Sequence, residues 1–134
     1  MKKSVPILDT NLIIRFLAQD NLIQAKKVEN LLSKAGKNSL HVPDIVFAEI
    51  IYVLLSVYDQ PKKDVVEKMG GLVNFSKIQC NKGLLKLSLH FFANNNISFV
   101  DAYLLALVKT GKNSFLYSFD KRLKSSKQAR VKQP

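Results

Sequence analysis

Residues 5–18 read VPILDTNLIIRFLA and contain the pattern that decides the fold. The apolar run 5–8 predicts a short buried strand, which the polar residues Asp9, Thr10 and Asn11 end. The apolar run then continues over 12–18, where only Arg15 interrupts it, and predicts a helix. A strand that leads directly into a helix is typical of folds in which helices cover a parallel sheet.

The rest of the chain continues this alternation of helices and short strands. Helices are predicted at 22–35, 44–58, 62–69, 82–93 and 98–109, and strands at 40–42, 75–80 and 115–119. Gly70 and Gly71 are expected to end the helix that starts at residue 62. The pattern predicts an α/β fold, an α/β/α sandwich around a short, mostly parallel sheet. Ligands bind such sheets beyond the carboxyl ends of the strands, where Asp9 and Asp120 fall.

Length and composition indicate one globular domain. The chain has 134 residues, of which 47% are hydrophobic and 23% charged. Its single Cys excludes an internal disulfide framework and suits a reducing compartment. We predict a domain at 1–123, followed by a flexible basic tail at 124–134 that has little apolar content.

The net charge of +11 is the first indication of function. Residues 109–134 contain eight basic residues and one acid, so the excess is concentrated near the end of the sequence. A basic surface attracts polyanions, of which nucleic acid is the commonest. The alternative is a surplus of Lys that only keeps the protein in solution.

No stretch is long enough to be a membrane span. The longest mostly apolar run, 46–58, contains Glu49 and is shorter than the ~20 residues that a span needs. Asp9 and Asn11 interrupt the apolar N-terminal stretch, and no small-residue cleavage site follows it. The sequence therefore predicts a cytoplasmic protein.

Two acids fall among apolar residues. Glu49 has Ile45 and Tyr52 as helical neighbours, and Asp101 has Ile97 and Leu105. Both carboxylates are therefore predicted on mostly apolar faces, where an unpaired charge is costly unless it binds a cation.

Each acid also has a purely structural explanation. Asp9 and Asp120 could cap the helices that follow them, and Asp101 could interact with the dipole of its own helix. Glu49 could form a buried salt bridge with Lys or Arg.

Several carboxylates in one cleft would repel one another, and a divalent cation removes that conflict. Mg²⁺ and Mn²⁺ prefer oxygen ligands. An acid-lined metal site on a basic protein suits phosphodiester cleavage, because the basic surround holds the phosphate backbone.

Four segments together resemble the acidic motifs of PIN-domain nucleases. They are Asp9-Thr10-Asn11 after VPIL, Glu49 in VFAEIIYVL, Asp101 in ISFVDAYLLALV and Asp120 in LYSFDKRL. The resemblance runs from about residue 5 to 123, and the small size is most similar to VapC-type toxins of toxin–antitoxin pairs. Many relatives have a further acid after the last motif Asp, where this chain has Lys121 and Arg122.

The resemblance implies an endoribonuclease that depends on Mg²⁺ or Mn²⁺. Asp9, Glu49, Asp101 and Asp120 would be the catalytic metal ligands, and water would be the nucleophile. Asn11 matches the family's polar residue two after the first Asp and would orient the carboxylates by hydrogen bonding. Ser118 matches the family's small hydroxyl residue two before the last Asp. The predicted metal site therefore consists of Asp9, Glu49, Asp101 and Asp120.

Three basic residues close to these motifs are candidates for RNA binding. Arg15 lies one helical turn beyond Asn11, and Lys121 and Arg122 follow Asp120. The alternative for each is a solvated surface charge.

A toxin would imply an antitoxin partner. The apolar helices at 22–35 and 44–58 favour a homodimer; the alternative is that all their apolar residues belong to the core. Two other functions stay open. The chain could be a non-catalytic basic nucleic-acid-binding protein, or a PIN-domain nuclease of RNA processing.

Overall fold

The computed structural model describes residues 4–134, which divide into two compact units between Asn81 and Lys82. The elements in chain order are α1 (Thr10–Ala18), α2 (Leu22–Lys34), β1 (Leu40–His41), α3 (Asp44–Ser56), α4 (Lys62–Asn74), β2 (Ile78–Gln79), α5 (Lys82–Asn94), α6 (Phe99–Lys109), β3 (Leu116–Tyr117), α7 (Lys121–Ser125) and β4 (Val131–Lys132). The predicted helices are therefore all present, and most of their ends lie within two residues of the predicted positions.

The first unit contains α1 to α4 and a parallel pair of strands. Leu40 of β1 is paired with Ile78 of β2. The predicted strand at 5–8 is reduced to a single parallel bridge between Ile7 and His41, and the Leu8 N–H donates to the His41 carbonyl at 2.9 Å. Leu8 is buried, but Ile7 is 63% exposed, because successive side chains point to opposite sides of extended backbone. The prediction of a buried strand is therefore wrong for Ile7.

The core of the first unit is built from the helices and from β2. Its fully buried side chains come from α1, α3, α4 and the strands, and include Ile14, Phe47, Ile50, Leu54, Val65, Met69, Val73 and Ile78. Each Å² of apolar surface that such packing removes from water stabilises the folded state by roughly 25 cal/mol.

Helix α4 continues through Gly70 and Gly71 and ends at Asn74, so the prediction that these glycines end it is wrong. Val65, Met69 and Val73 lie four residues apart and are all fully buried. Packing of this stripe outweighs the ~1 kcal/mol that each glycine costs in a helix interior.

The second unit contains α5, α6, α7 and the parallel pair β3–β4. Phe92 of α5 and Phe99 of α6 meet edge to face, with ring centroids 6.0 Å apart. Leu116 of β3 is paired with Val131 of β4, and Tyr117 with Lys132.

The strand β4 lies in the segment that was predicted to be a flexible tail. Val131 is buried, and the Ser118 N–H donates to the Lys132 carbonyl at 2.9 Å. Part of the segment predicted as a flexible basic tail therefore forms a strand, held by one buried apolar side chain and by hydrogen bonds to β3.

The predicted α/β class is confirmed, in a mostly helical protein with short parallel strands. Within residues 4–134 no helix has the length and apolar character that a membrane crossing requires.

Candidate active site

Asp9 is the N-cap of α1 in the first unit. Its backbone is extended (φ −85°, ψ 168°), and its Oδ1 accepts a hydrogen bond from the Leu12 N–H at 2.8 Å. Asp9 is exposed, whereas the next residue, Thr10, is buried. The capping role that the sequence left open for Asp9 is therefore observed, and it places the carboxylate at the positive end of the α1 dipole.

Asn11 and Arg15 follow Asp9 on α1. Asn11 is exposed. Arg15 donates from Nε to Gln24 Oε1 at 3.0 Å, and its Nη1 lies 3.4 Å from Asp20 Oδ1. Arg15 is thus engaged with the start of α2 rather than standing as an isolated surface charge.

A tyrosine extends this Arg15 network. The Tyr58 hydroxyl donates to Asp20 Oδ2 at 2.6 Å and lies 3.3 Å from Arg15 Nη1. The hydrogen bond from Tyr58 and the charge of Arg15 hold the pKa of Asp20 below its usual range, and the same bond raises the pKa of Tyr58.

Glu49 lies on the mostly apolar face predicted for it, but this face of α3 is exposed to solvent rather than buried. Its helical neighbours Ile45 and Tyr52 are 78% and 68% exposed. The buried side of the helix is the opposite one, which holds Phe47 and Ile51. The difference has a physical cause: α3 is apolar on nearly every side, so apolar neighbours do not show which side packs inward.

The salt bridge that was considered for Glu49 is also not observed. Ion pairs within residues 4–134 include those of Arg15 with Asp20, Lys26 with Glu29, and Arg122 with Asp120, and Glu49 takes part in none of these. The Glu49 carboxylate is therefore presented to solvent between two exposed apolar side chains.

Asp101 lies in the first turn of α6 in the second unit. The Ser98 hydroxyl caps this helix by accepting the Asp101 N–H at 3.1 Å, and Asp101 itself is half-buried. An acid in a first helical turn interacts favourably with the helix dipole, as the structural explanation of Asp101 supposed.

Asp120 is the N-cap of α7 and is held from both sides. Its Oδ1 accepts the Arg122 N–H at 2.9 Å, and its Oδ2 accepts from Arg122 Nη2 at 3.0 Å. Its own N–H donates to the Ser118 hydroxyl at 3.0 Å. Ser118 thus fixes the backbone at Asp120.

Arg122 connects the two acids of the second unit electrostatically. Its hydrogen bonds hold the pKa of Asp120 below the usual range. The pKa of Arg122 is raised chiefly by Asp120 and in smaller part by the charge of Asp101. Lys121, the first residue of α7, is exposed beside this pair.

The structure therefore places two of the four predicted ligands in each unit, and within the second unit Asp101 and Asp120 act on the same guanidinium. Within the described residues, no group of three or more His, Cys, Asp or Glu side chains is arranged to hold a metal ion.

Sequence reasoning did not single out the aromatic residues that precede Asp120. Tyr117 and Phe119 are both strongly exposed. Their alternation in 115–119, FLYSF, within the most basic part of the chain was the available signal.

The sequence profile of the PIN domain matches residues 7–127. The chain belongs to the PIN domain family. Members of this family are in general metal-dependent nucleases, which agrees with the resemblance of the four acidic segments. The matched residues include Asp9, Glu49, Asp101 and Asp120. No match to a curated protein was found for this PIN domain chain.

Proposed function

We propose that this PIN domain protein is an endoribonuclease that hydrolyses RNA phosphodiester bonds with the help of a divalent metal ion. The observation that carries the proposal is that the family match at 7–127 contains all four motif acids. The net charge of +11 supports a polyanionic substrate.

We propose Mg²⁺ or Mn²⁺ as the cofactor, with Asp9, Glu49, Asp101 and Asp120 as the residues that hold it. The donor chemistry fits, because all four are carboxylates and both ions prefer oxygen ligands. Each of the four is exposed or half-exposed, so solvent and ions reach them. When bound, such an ion lowers the pKa of water and offsets the negative charge of the phosphate.

The chain's own residues position these acids and the substrate. Ser118 holds the backbone of Asp120, and hydrogen bonds from Arg122 keep the pKa of the Asp120 carboxyl group below its ordinary value. Asn11 is assigned a similar orienting role towards Asp9. Lys121 and Arg122 are proposed to contact RNA phosphates, which would place cationic groups directly beside Asp120.

The decisive experiment measures cleavage of a structured RNA by the full chain with Mn²⁺, with EDTA, and for Asp9→Asn and Asp101→Asn. Each substitution keeps the size of the side chain and removes one negative charge, so we expect at least a ~100-fold loss of rate. Asp59→Asn is the matched control, because Asp59 is exposed in a turn and has the positive φ of 51° that Asn also adopts. Cleavage that survives both EDTA and Asp9→Asn would overturn the proposal.

We further propose that the nuclease is the toxin of a toxin–antitoxin pair and acts in the cytoplasm. This rests on the resemblance to small VapC-type toxins and implies an antitoxin partner and a homodimer. Expression of the chain is then expected to arrest growth, and coexpression of the neighbouring gene to relieve the arrest. Growth without arrest, together with cleavage in vitro, would favour a role in RNA processing.

A specific observation favours a second candidate, a basic nucleic-acid-binding protein without catalysis. Asp9 and Asp120 both cap helices, a role that needs no metal. This alternative predicts RNA binding that is sensitive to salt, indifferent to EDTA and not followed by cleavage.

A further inference from the structure

Two aromatic side chains lie on one side of the segment that contains β3, where Phe115 directly precedes the strand and Tyr117 belongs to it. The rings of Phe115 and Tyr117 meet edge to face, with centroids 4.8 Å apart and planes at 88°. Residues two apart on extended backbone point to the same side, which accounts for the contact. Tyr117 is 62% exposed, so its ring is available to a ligand.

The neighbouring strand adds a cation to this face. Lys132 of β4 is the register partner of Tyr117 in the parallel pair. Its Nζ lies 4.4 Å from the centroid of the Phe115 ring, in a cation–π contact. We call Phe115, Tyr117 and Lys132 the β3–β4 aromatic face.

A third ring extends the aromatic run towards the proposed active site. Phe119 is 74% exposed and directly precedes Asp120. Exposed apolar side chains occur singly on most proteins, but two such rings within three residues form a concentrated apolar surface.

The surroundings of these rings are strongly basic. Residues 109–134 contain eight Lys and Arg residues against the single acid Asp120. A second copy of the chain would bring a segment of the same charge against this one, so repulsion disfavours self-association through it. A polyanion with flat apolar groups has the complementary chemistry.

We propose that the β3–β4 aromatic face and Phe119 bind a single-stranded segment of RNA, whose bases stack on Tyr117 and Phe119 while Lys132 contacts its phosphates. Proteins that bind single strands combine basic grooves with exposed aromatic rings in this way, because unpaired bases present their faces. Duplex RNA keeps those faces stacked inside the helix and does not offer them to the rings. The inference rests on the proposed ribonuclease function and adds the surface of this chain that would hold the single strand.

The position of Phe119 links this binding surface to the proposed active site. Phe119 directly precedes Asp120, so the proposed RNA-binding surface and a proposed metal ligand belong to the same short segment of the second unit.

The test is the binding of a fluorescein-labelled single-stranded RNA of ten adenines to the full chain, followed by fluorescence anisotropy in EDTA. The variants are Tyr117→Ala and Phe119→Ala, with Tyr117→Phe and Ile23→Ala as controls. Tyr117→Phe keeps the ring, and Ile23 is an equally exposed apolar residue on α2 of the first unit.

We expect the Kd to rise about 5- to 150-fold for each lost ring. Tyr117→Phe and Ile23→Ala should bind like the unmodified chain. Lys132→Gln should lower the slope of log Kd against log salt by about 0.7. Phe119 lies outside β3, so Phe119→Ala remains informative should Tyr117→Ala fail to fold by circular dichroism.

An unchanged Kd for Phe119→Ala would overturn the inference, as would equally tight binding of a duplex of the same length. Loss of self-association in Phe119→Ala, with RNA affinity unchanged, would instead assign the rings to a protein contact. Binding in EDTA is independent of cleavage in Mn²⁺. RNA binding that depends on the rings but is not followed by cleavage would support the binding surface and contradict the ribonuclease function. Cleavage by a chain whose RNA binding does not depend on the rings would support the ribonuclease function and contradict the binding surface.

Discussion

Asp9 and Asp120 each accept backbone N–H groups at the start of the helix that follows them. At the scale of single residues, each carboxylate therefore has a structural role that is independent of any metal. A substitution at either position can change both the stability of the fold and the proposed metal binding. The replacement side chain must therefore be chosen so that only one of these two properties changes.

Asp9→Asn and Asp9→Ala separate the two roles. Asn caps helices about as well as Asp, whereas Ala cannot accept the Leu12 N–H and costs about 1 kcal/mol. We expect both variants to lose cleavage activity, but only Asp9→Ala to lose free energy of unfolding in urea. Equal destabilisation by the two substitutions would contradict the capping role.

Arg122→Gln tests the ion pair with Asp120. Arg122 keeps the pKa of Asp120 below its ordinary value. The ionised Asp120 carboxylate therefore stabilises the folded state fully above about pH 4, and this stabilisation is lost as the pH falls through the folded-state pKa. The variant should raise that pKa, which carboxyl ¹³C shifts against pH would measure.

The stability of the Arg122→Gln variant should follow from the same linkage. Its free energy of unfolding should fall below that of the unmodified chain at pH 7, and the two should converge in acid. Lys121→Gln is the matched control, with an unchanged pKa at Asp120. The same pKa of Asp120 in both variants would argue against the ion pair.

At the scale of elements, helical periodicity predicted the helices well, because each buries one apolar stripe. It failed where the pattern carries no direction or a weak one. Apolar residues surround Glu49 on α3, so periodicity did not show which side of this helix is buried. Gly70 and Gly71 were expected to end α4, but the helix continues through them. The capping alternatives for Asp9 and Asp120 could be predicted because they depend only on neighbours in the chain. The contact of Lys132 with Phe115 could not, since it depends on the register of two distant segments.

Gly70→Ala is expected to stabilise the protein. Gly70 lies inside α4, and a Cβ built there meets no atom within 4 Å. Helix propensity then favours Ala by about 0.5–1 kcal/mol, or a rise of roughly 2–5 °C in Tm by calorimetry.

Gly111→Ala is the contrasting substitution for this test. Gly111 also has open space, but its φ of +81° strains any residue with a Cβ. We expect it to lower Tm. A rise in both variants would show that chain entropy, and not helix geometry, dominates.

At the scale of the whole molecule, the charge of +11 sets the response to salt. A chain that neutralises three or more phosphates of a single strand should lose affinity at least about 10-fold between 50 and 200 mM KCl. Anisotropy titrations of labelled RNA at several salt concentrations would measure the slope. An affinity that is flat across this range would mean that the basic residues do not contact phosphates.

The parallel pairing of Val131 with Leu116 has a consequence for any shortened form of this gene. A premature stop codon at position 130 would remove β4 and leave the backbone groups of β3 without their partners, so that Phe115 and Tyr117 would flank an open strand edge. Such edges template association between molecules. A truncated product is therefore expected to form insoluble inclusions during expression, even though residues 130–134 contribute none of the four motif acids.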